Sequence, residues 1–192
     1  MLNTYKKWKQ YKEGLKKNNR LLYHVVDWIE SIVVALVLAL IIRQFAFQTS
    51  EVLSGSMIPT LLIRDRVIVN KLVYRYYGKM ERGDIVLFRS TITPPRDFIK
   101  RLIGLPGENI QIRKGRVLIN GKTIDQSKWP VIWDSSNFGP YKIPENSYFF
   151  LGDNRPDSFD SRFWGPVPRG NIIGKAELMI WPPLRIKLLT LK

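Results

Sequence analysis

The 192-residue sequence contains no cysteine, so disulfide staples, thiol nucleophiles, iron–sulfur clusters and cysteine-bound zinc are all excluded. Its one histidine is His24, which leaves the body of the chain without a Ser-His-Asp triad or a HExxH zinc helix. No Ser-x-x-Lys stands anywhere in it, setting aside β-lactamase-type chemistry. Any catalysis must rest on Ser, Lys, Tyr, Asp or Glu. Acidic residues are scarce too, 16 against 31 Lys and Arg, for a net charge of +15. With 45% apolar residues the chain is nonetheless too hydrophobic to be disordered.

The charge falls into three zones. Residues 1–24 carry seven Lys or Arg and one Glu, residues 25–42 only Asp27 and Glu30, and residues 43–192 have 24 basic against 13 acidic. The first zone spaces Tyr5, Trp8, Tyr11 and Leu15 by three and four residues among its lysines. It reads either as a helix lying at a membrane surface or as a solvated basic tail. In the second, IVVALVLALII (Ile32–Ile42) widens to 20 residues from Trp28 to Phe47, enough for a bilayer core of ~30 Å. The residues that follow, RQFAFQ, lack the small-residue pattern of a cleaved signal, so a retained spanning helix is expected. The basic residues ahead of it put the N-terminus in the cytoplasm and the rest outside.

The third zone reads as short strands at 66–70, 84–88, 98–103, 109–112, 116–119, 148–151 and 172–180, punctuated by Gly and Pro. Lys114-Gly115 and Asn120-Gly121 are tight-turn signals. No long amphipathic helix, internal repeat or low-complexity linker follows residue 50. The expected fold is mainly β, with antiparallel sheets forming a partly closed barrel-like body behind one N-terminal transmembrane helix. The expected division is a basic cytoplasmic segment 1–24, a transmembrane helix 25–47 and an extracytoplasmic β domain 48–192, with 106–147 as a β insertion.

Three stretches carry chemistry. Ser54-Gly55-Ser56 sets two hydroxyls about a residue that turns freely, which alone is no more than a polar turn. In Asp97–Gly104, alternation puts Phe98, Lys100 and Leu102 on one face and Ile99, Arg101 and Ile103 on the other. A lysine can deprotonate a serine only if burial lowers its pKa from about 10.4 towards 7 to 8, a differential of roughly 3 to 5 kcal/mol. An apolar strand face is where that happens, whereas an isolated Lys-Arg pair reads as an exposed edge charge. The third stretch, GDNRPDSFDSR from Gly152 to Arg162, fails the calcium-loop template. Counted from Asp153, Ser158 stands where Gly is needed and Trp164 where Glu is needed. Ion pairs and turn bonds among Asp153, Arg155, Asp160 and Arg162 are expected instead, and no metal site.

Taken in order, LSGSMIPTLL, DFIKRLIGLPGE and LGDNRPDSFDSR, with WGPVPRGNIIGKA behind, resemble the motifs of the bacterial type I signal peptidases, membrane-bound Ser-Lys proteases. The resemblance covers about residues 43–181 and is weakest between about 109 and 146, where the family varies in length. It implies that Ser56 is the nucleophile and Lys100 the unprotonated general base. It implies an oxyanion site made of the Ser56 N–H and the Ser54 hydroxyl, and a Ser158 that orients the Lys100 amine. Asp160, Arg162 and Asp153 would support the loop around Lys100. Its substrates would be signal-peptide-bearing preproteins, held as an extended strand and cut after small residues in an Ala-x-Ala pattern, with Met57, Ile58 and Phe98 lining the pockets.

No cofactor and no nucleic acid is implied, and membrane lipid is the other expected partner. Leu53 stands where the family usually has Pro, and Pro156-Asp157 where it usually has Asp-Asn. The alternative is a membrane-anchored basic β module that binds nucleic acid or anionic lipid by charge, without catalysis.

Overall fold

A computed structural model describes residues 2–189. The chain divides into two units, Met1–Phe45 and Ala46–Lys192. The first is helical, with α1 at Leu2–Asn18 and α2 at Arg20–Phe45. Lys12 on α1 meets Asp27 at 2.7 Å and Glu30 at 2.5 Å on α2, so the two acids ahead of the apolar run share one cation.

The stretch Arg20–Ile42 has a mean hydropathy of 2.5 with none of it buried, and Ile32, Leu36 and Leu40 are each more than half exposed. That is not the pattern of a core helix, which hides its apolar faces in protein. The 26 residues of α2 rise about 39 Å, long enough to cross a bilayer. Phe47 does not continue α2. It opens the first strand, where it pairs with Asn70.

The second unit is built from β1 (Phe47–Glu51), β2 (Arg66–Asn70), β3 (Ile85–Arg89), β4 (Asp97–Gly104), β5 (Asn109–Arg113), β6 (Arg116–Ile119), β7 (Lys122–Thr123), β8 (Phe138–Lys142), β9 (Ser147–Leu151), β10 (Val167–Pro168), β11 (Ile172–Trp181) and β12 (Lys187–Leu188). A four-residue helix, α3 (Ser161–Trp164), follows β9.

The larger sheet runs β1-β2-β11-β3-β4-β9-β10, with β12 on β11, and the smaller runs β7-β6-β5-β8. The larger sheet curls into a half barrel. The mainly antiparallel β body expected from the sequence is therefore what forms. Lys114-Gly115 and Asn120-Gly121 close the β5–β6 and β6–β7 hairpins. All four turn residues have positive φ, between 47° and 78°, as the two-residue turns of twisted hairpins require.

Alternation sorts the apolar side chains into three cores. Val67, Val69, Ile85, Leu87 and Ala176 form one core against the large sheet. Val86, Phe88, Leu102 and Phe150 fill another beside Trp164. Ile110, Ile112, Val117, Phe149 and Leu151 join the small sheet to the large one. β4 touches all three, through Ile99, Leu102 and Ile103. The buried half of β4 therefore runs between apolar cores, a setting that perturbs a lysine held there without a countercharge.

Candidate active site

Two segments bring hydroxyl and amine together. The first is the turn Gly55–Met57, anchored at one end by Met57, which is 1% exposed in the core that also holds Val67 and Leu87. Asn154 holds it at the other end. Its backbone N–H donates to Ser56 O at 3.0 Å and its side-chain amide to Gly55 O at 3.2 Å. With both carbonyls tied, Ser56 Oγ is fixed, and Ser54 Oγ sits 3.1 Å from it.

The second segment is β4. Lys100 is 3% exposed, with its Nζ 5.6 Å from the centre of the Phe98 ring, and it donates a hydrogen bond to Ser56 Oγ. Burial pulls its pKa down from the ordinary 10.5 to about 8. The carboxylates of Asp160, Asp157 and Asp153 oppose that fall, and the Arg162 guanidinium assists it.

The loop after β9 surrounds this pair. Asp160 is fully buried and caps α3. It accepts from its own turn at Arg162 N (3.2 Å), from Arg162 Nε (2.8 Å) and from Gly152 N (3.1 Å). Arg162 also reaches Asp134 at 2.6 Å and the carbonyl of Arg155 at 2.7 Å.

Of the four residues expected to bond among themselves, Asp160 and Arg162 pair, whereas Asp153 turns to a residue outside that set. It takes both arms of Arg101, at 2.7 and 2.6 Å, and a hydrogen bond from Thr60. Arg101 lies on the opposite face of β4 from Lys100, so alternation brings it to Asp153. Arg155 instead donates to Gly152 O at 3.0 Å and Gln126 at 2.6 Å.

Ser158 Oγ is buried without a hydrogen-bond partner among the described residues, so the structure does not join it to Lys100. Its side chain and Ser56 O both crowd Gly152, where an added Cβ would lie 2.5 Å from Ser56 O. Only glycine lets the loop come this near the turn.

A cleft of about 600 Å³ opens beside Ser56 and Lys100, lined also by Ser50–Ser54, Met57, Arg89 and Pro95–Ile99. Met57 and Phe98 line it as expected. Ile58 does not, and its side chain lies against Gly55. Both walls present strand backbone. β1 is the edge of its sheet, and residues 97–100 of β4 pair only with β3, because the pairing of β4 with β9 begins at Arg101. Among the described residues no three potential metal ligands gather.

Thr60, Arg101, Gln126, Asp134 and Asn154 escaped the sequence reading. Gln126 and Asp134 lie outside the three motifs and Thr60 and Arg101 inside the first and second, but the partners of all four lie from 28 to 93 residues away. Asn154 stands inside the third motif, but its bond to Gly55 spans 99 residues.

A buried serine–lysine pair opening on a cleft between two free strand edges sets a hydroxyl and an amine where an extended peptide could lie. Residues 25–181 match the family model described as signal peptidase, peptidase S26. Signal peptidase I of Leptolyngbya laminosa is 43% identical over 169 residues, covering 84% of this chain and 82% of that protein. Signal peptidase I P of Bacillus subtilis subsp. natto is 38% identical over 186 residues, covering 92% and 97%. The chain belongs to the signal peptidase, peptidase S26, family. That is a family of membrane-associated serine endopeptidases that remove signal peptides from preproteins.

Proposed function

We propose that this protein cuts signal peptides after small residues in an Ala-x-Ala pattern, with Ser56 as nucleophile and Lys100 as general base. The observation that carries the reading is the hydrogen bond between Lys100 Nζ and Ser56 Oγ, made where burial favours the neutral amine.

In the acylation step Ser56 Oγ attacks the scissile carbonyl carbon and Lys100 Nζ takes the hydroxyl proton. The Ser56 N–H and the Ser54 hydroxyl hold the oxyanion, donors of a kind whose loss costs about 3 to 4 kcal/mol. The C–N bond then breaks, and the Lys100 ammonium returns the proton to the leaving amine. In deacylation water attacks the ester, Lys100 takes its proton, and Ser56 Oγ recovers it as the acid leaves. Ser158 orients the amine during these transfers, and the Asp160–Arg162 and Asp153–Arg101 pairs keep the surrounding loop in place.

The signal-peptide end lies extended in the cleft, adding a strand between β1 and β4. Met57 and Phe98, which line the cleft, would bound the pockets for the small side chains. The seven Lys and Arg ahead of the apolar helix favour a cytoplasmic N-terminus, with the β body outside and lipid around α2.

The test is cleavage of a preprotein bearing an Ala-x-Ala site by the detergent-solubilised full chain. Ser56→Ala and Lys100→Ala should each abolish it with the far-ultraviolet circular dichroism unchanged. Lys100→Arg should fail as well, because a guanidinium stays protonated. Near-normal turnover in any of the three would refute the dyad. A charge-binding module without catalysis would instead be indifferent to Ser56→Ala.

A further inference from the structure

The loop after β9 places a third acid near the dyad, one that the mechanism leaves idle. Of the three carboxylates whose charge reaches Lys100, Asp153 is locked on Arg101 and Asp160 on Arg162. The Asp157 side chain has no hydrogen bond or ion pair among the described residues.

It is also the one exposed charge in that loop. Asp153, Arg155 and Asp160 are 1%, 2% and 0% exposed, and the Arg162 side chain is 7% exposed. Arg155, the nearby cation without a carboxylate, is occupied with Gly152 O and Gln126 below the surface. It forms no ion pair with Asp157 among the described residues.

Position gives that charge a use. Asp157 Oδ2 comes within 3.1 Å of where a Cβ on Gly55 would stand, so the carboxylate lies against the turn that carries Ser56. No residue of the loop lines the cleft. A peptide whose acyl part occupies the cleft and is bonded to Ser56 must therefore leave past the turn on its other side, next to Asp157. Pro156 fixes the backbone immediately before it, and Asp157 N–H bonds to Asn154 O at 3.2 Å, so the charge is held in place.

We propose that Asp157 is a specificity-determining residue for the leaving side, selecting basic over acidic residues at the first two positions after the cut. The inference rests on the Ser56–Lys100 peptidase reading and adds the charge preference of its product end. A fixed charge about 6 to 8 Å from a substrate charge, at a partly solvated surface, separates Lys from Glu by about tenfold in kcat/KM.

The test uses the full chain in detergent and three preproteins with one Ala-x-Ala site, differing only in Lys, Gln or Glu at the second residue after the cut. The wild type should prefer Lys over Glu by about tenfold at low salt, and the preference should shrink at 0.5 M salt. Asp157→Asn should bring the ratio to within about twofold of unity, and Asp157→Glu should keep it. A wild-type ratio near one, or the same ratio in Asp157→Asn, overturns the role of Asp157, even if that variant shifts the pH profile by acting on Lys100. No turnover of any substrate by the wild type, or turnover that survives Ser56→Ala, overturns the peptidase reading and this inference with it.

Discussion

Replacing Lys100 by Met should make the protein inactive and, at neutral pH, more stable. Lys100 is 3% exposed and has a pKa of about 8 in the folded chain against 10.5 when free. Below pH 8 both states hold the proton, so the folded state bears the whole cost of a buried ammonium. Between pH 8 and 10.5 the unfolded chain binds more protons, so stability rises with pH. Above that window the cost is gone. At about 1.36 kcal/mol per pH unit, the full penalty is roughly 3 kcal/mol, of which about 2.5 kcal/mol is recovered between pH 7 and pH 10.

Met matches the length of Lys and carries no charge, and it gives up one hydrogen bond to Ser56, worth about 1 kcal/mol. The variant should therefore be about 2 kcal/mol more stable at pH 7 and about even with the wild type at pH 10. Other titrating groups are common to both chains and cancel in the difference. Denaturant unfolding of the two full-length chains in detergent, followed by tryptophan fluorescence at both pH values, reads the quantity directly. A change in the stability difference of less than about 0.5 kcal/mol, or of opposite sign, would refute the claim that burial dominates at Lys100. The same ionisation should appear in wild-type catalysis, with kcat/KM climbing through pH 8 and about one molecule in ten active at pH 7.

Two further outcomes follow from the surrounding bonds. Asp153→Ala strands the Arg101 guanidinium, 2% exposed, and should cost about 3 to 5 kcal/mol of stability by denaturant midpoint; a loss below about 1 kcal/mol would mean that water replaces the carboxylate. Ser158→Ala removes a buried hydroxyl that has no partner in the resting site, so stability should change by less than about 0.5 kcal/mol. Its kcat should nonetheless fall by about tenfold or more if the hydroxyl steadies the Lys100 amine during proton transfer, and an unchanged kcat would remove Ser158 from the mechanism.

Strands with buried alternation were legible in the sequence, and β2 and β6 have the expected bounds. β1 was not, because Phe47, Thr49 and Glu51 are exposed and Gln48 and Ser50 only half-buried. Its backbone pairing with β2 holds it there, and such pairing leaves no hydrophobic signature. β8, FGPYK, is hidden for the same reason and by its proline. At the site, the absence of cysteine and the isolation of His24 pointed to a lysine for any serine hydrolase, and the motif resemblance pointed to Lys100. What stayed hidden was pairing over distance. Arg101 meets Asp153 across 52 positions because sheet order sets β4 beside β9, and no local pattern encodes that order.

The contrast between Lys100 and Arg101 explains how a site with several buried acids still holds the amine of the proposed base below an ordinary lysine's pKa. The two cations are adjacent on β4 and about equally buried, 3% and 2% exposed. Arg101 receives two oxygens of Asp153 and the carbonyl of Gly83. Among the described residues, Lys100 has only the Ser56 hydroxyl as a hydrogen-bond partner. The first arrangement compensates a charge for its burial, and the second does not, so burial lowers the pKa of Lys100. Asp153 and Asp160 both act to keep Lys100 protonated, and a direct bond from either would restore an ordinary ammonium. Arg101 and Arg162 prevent that by occupying the carboxylate oxygens. The arginines of the second and third motifs thus protect the base from its own neighbours, and Arg101→Met should raise the pH at which kcat/KM reaches half its maximum, by releasing Asp153.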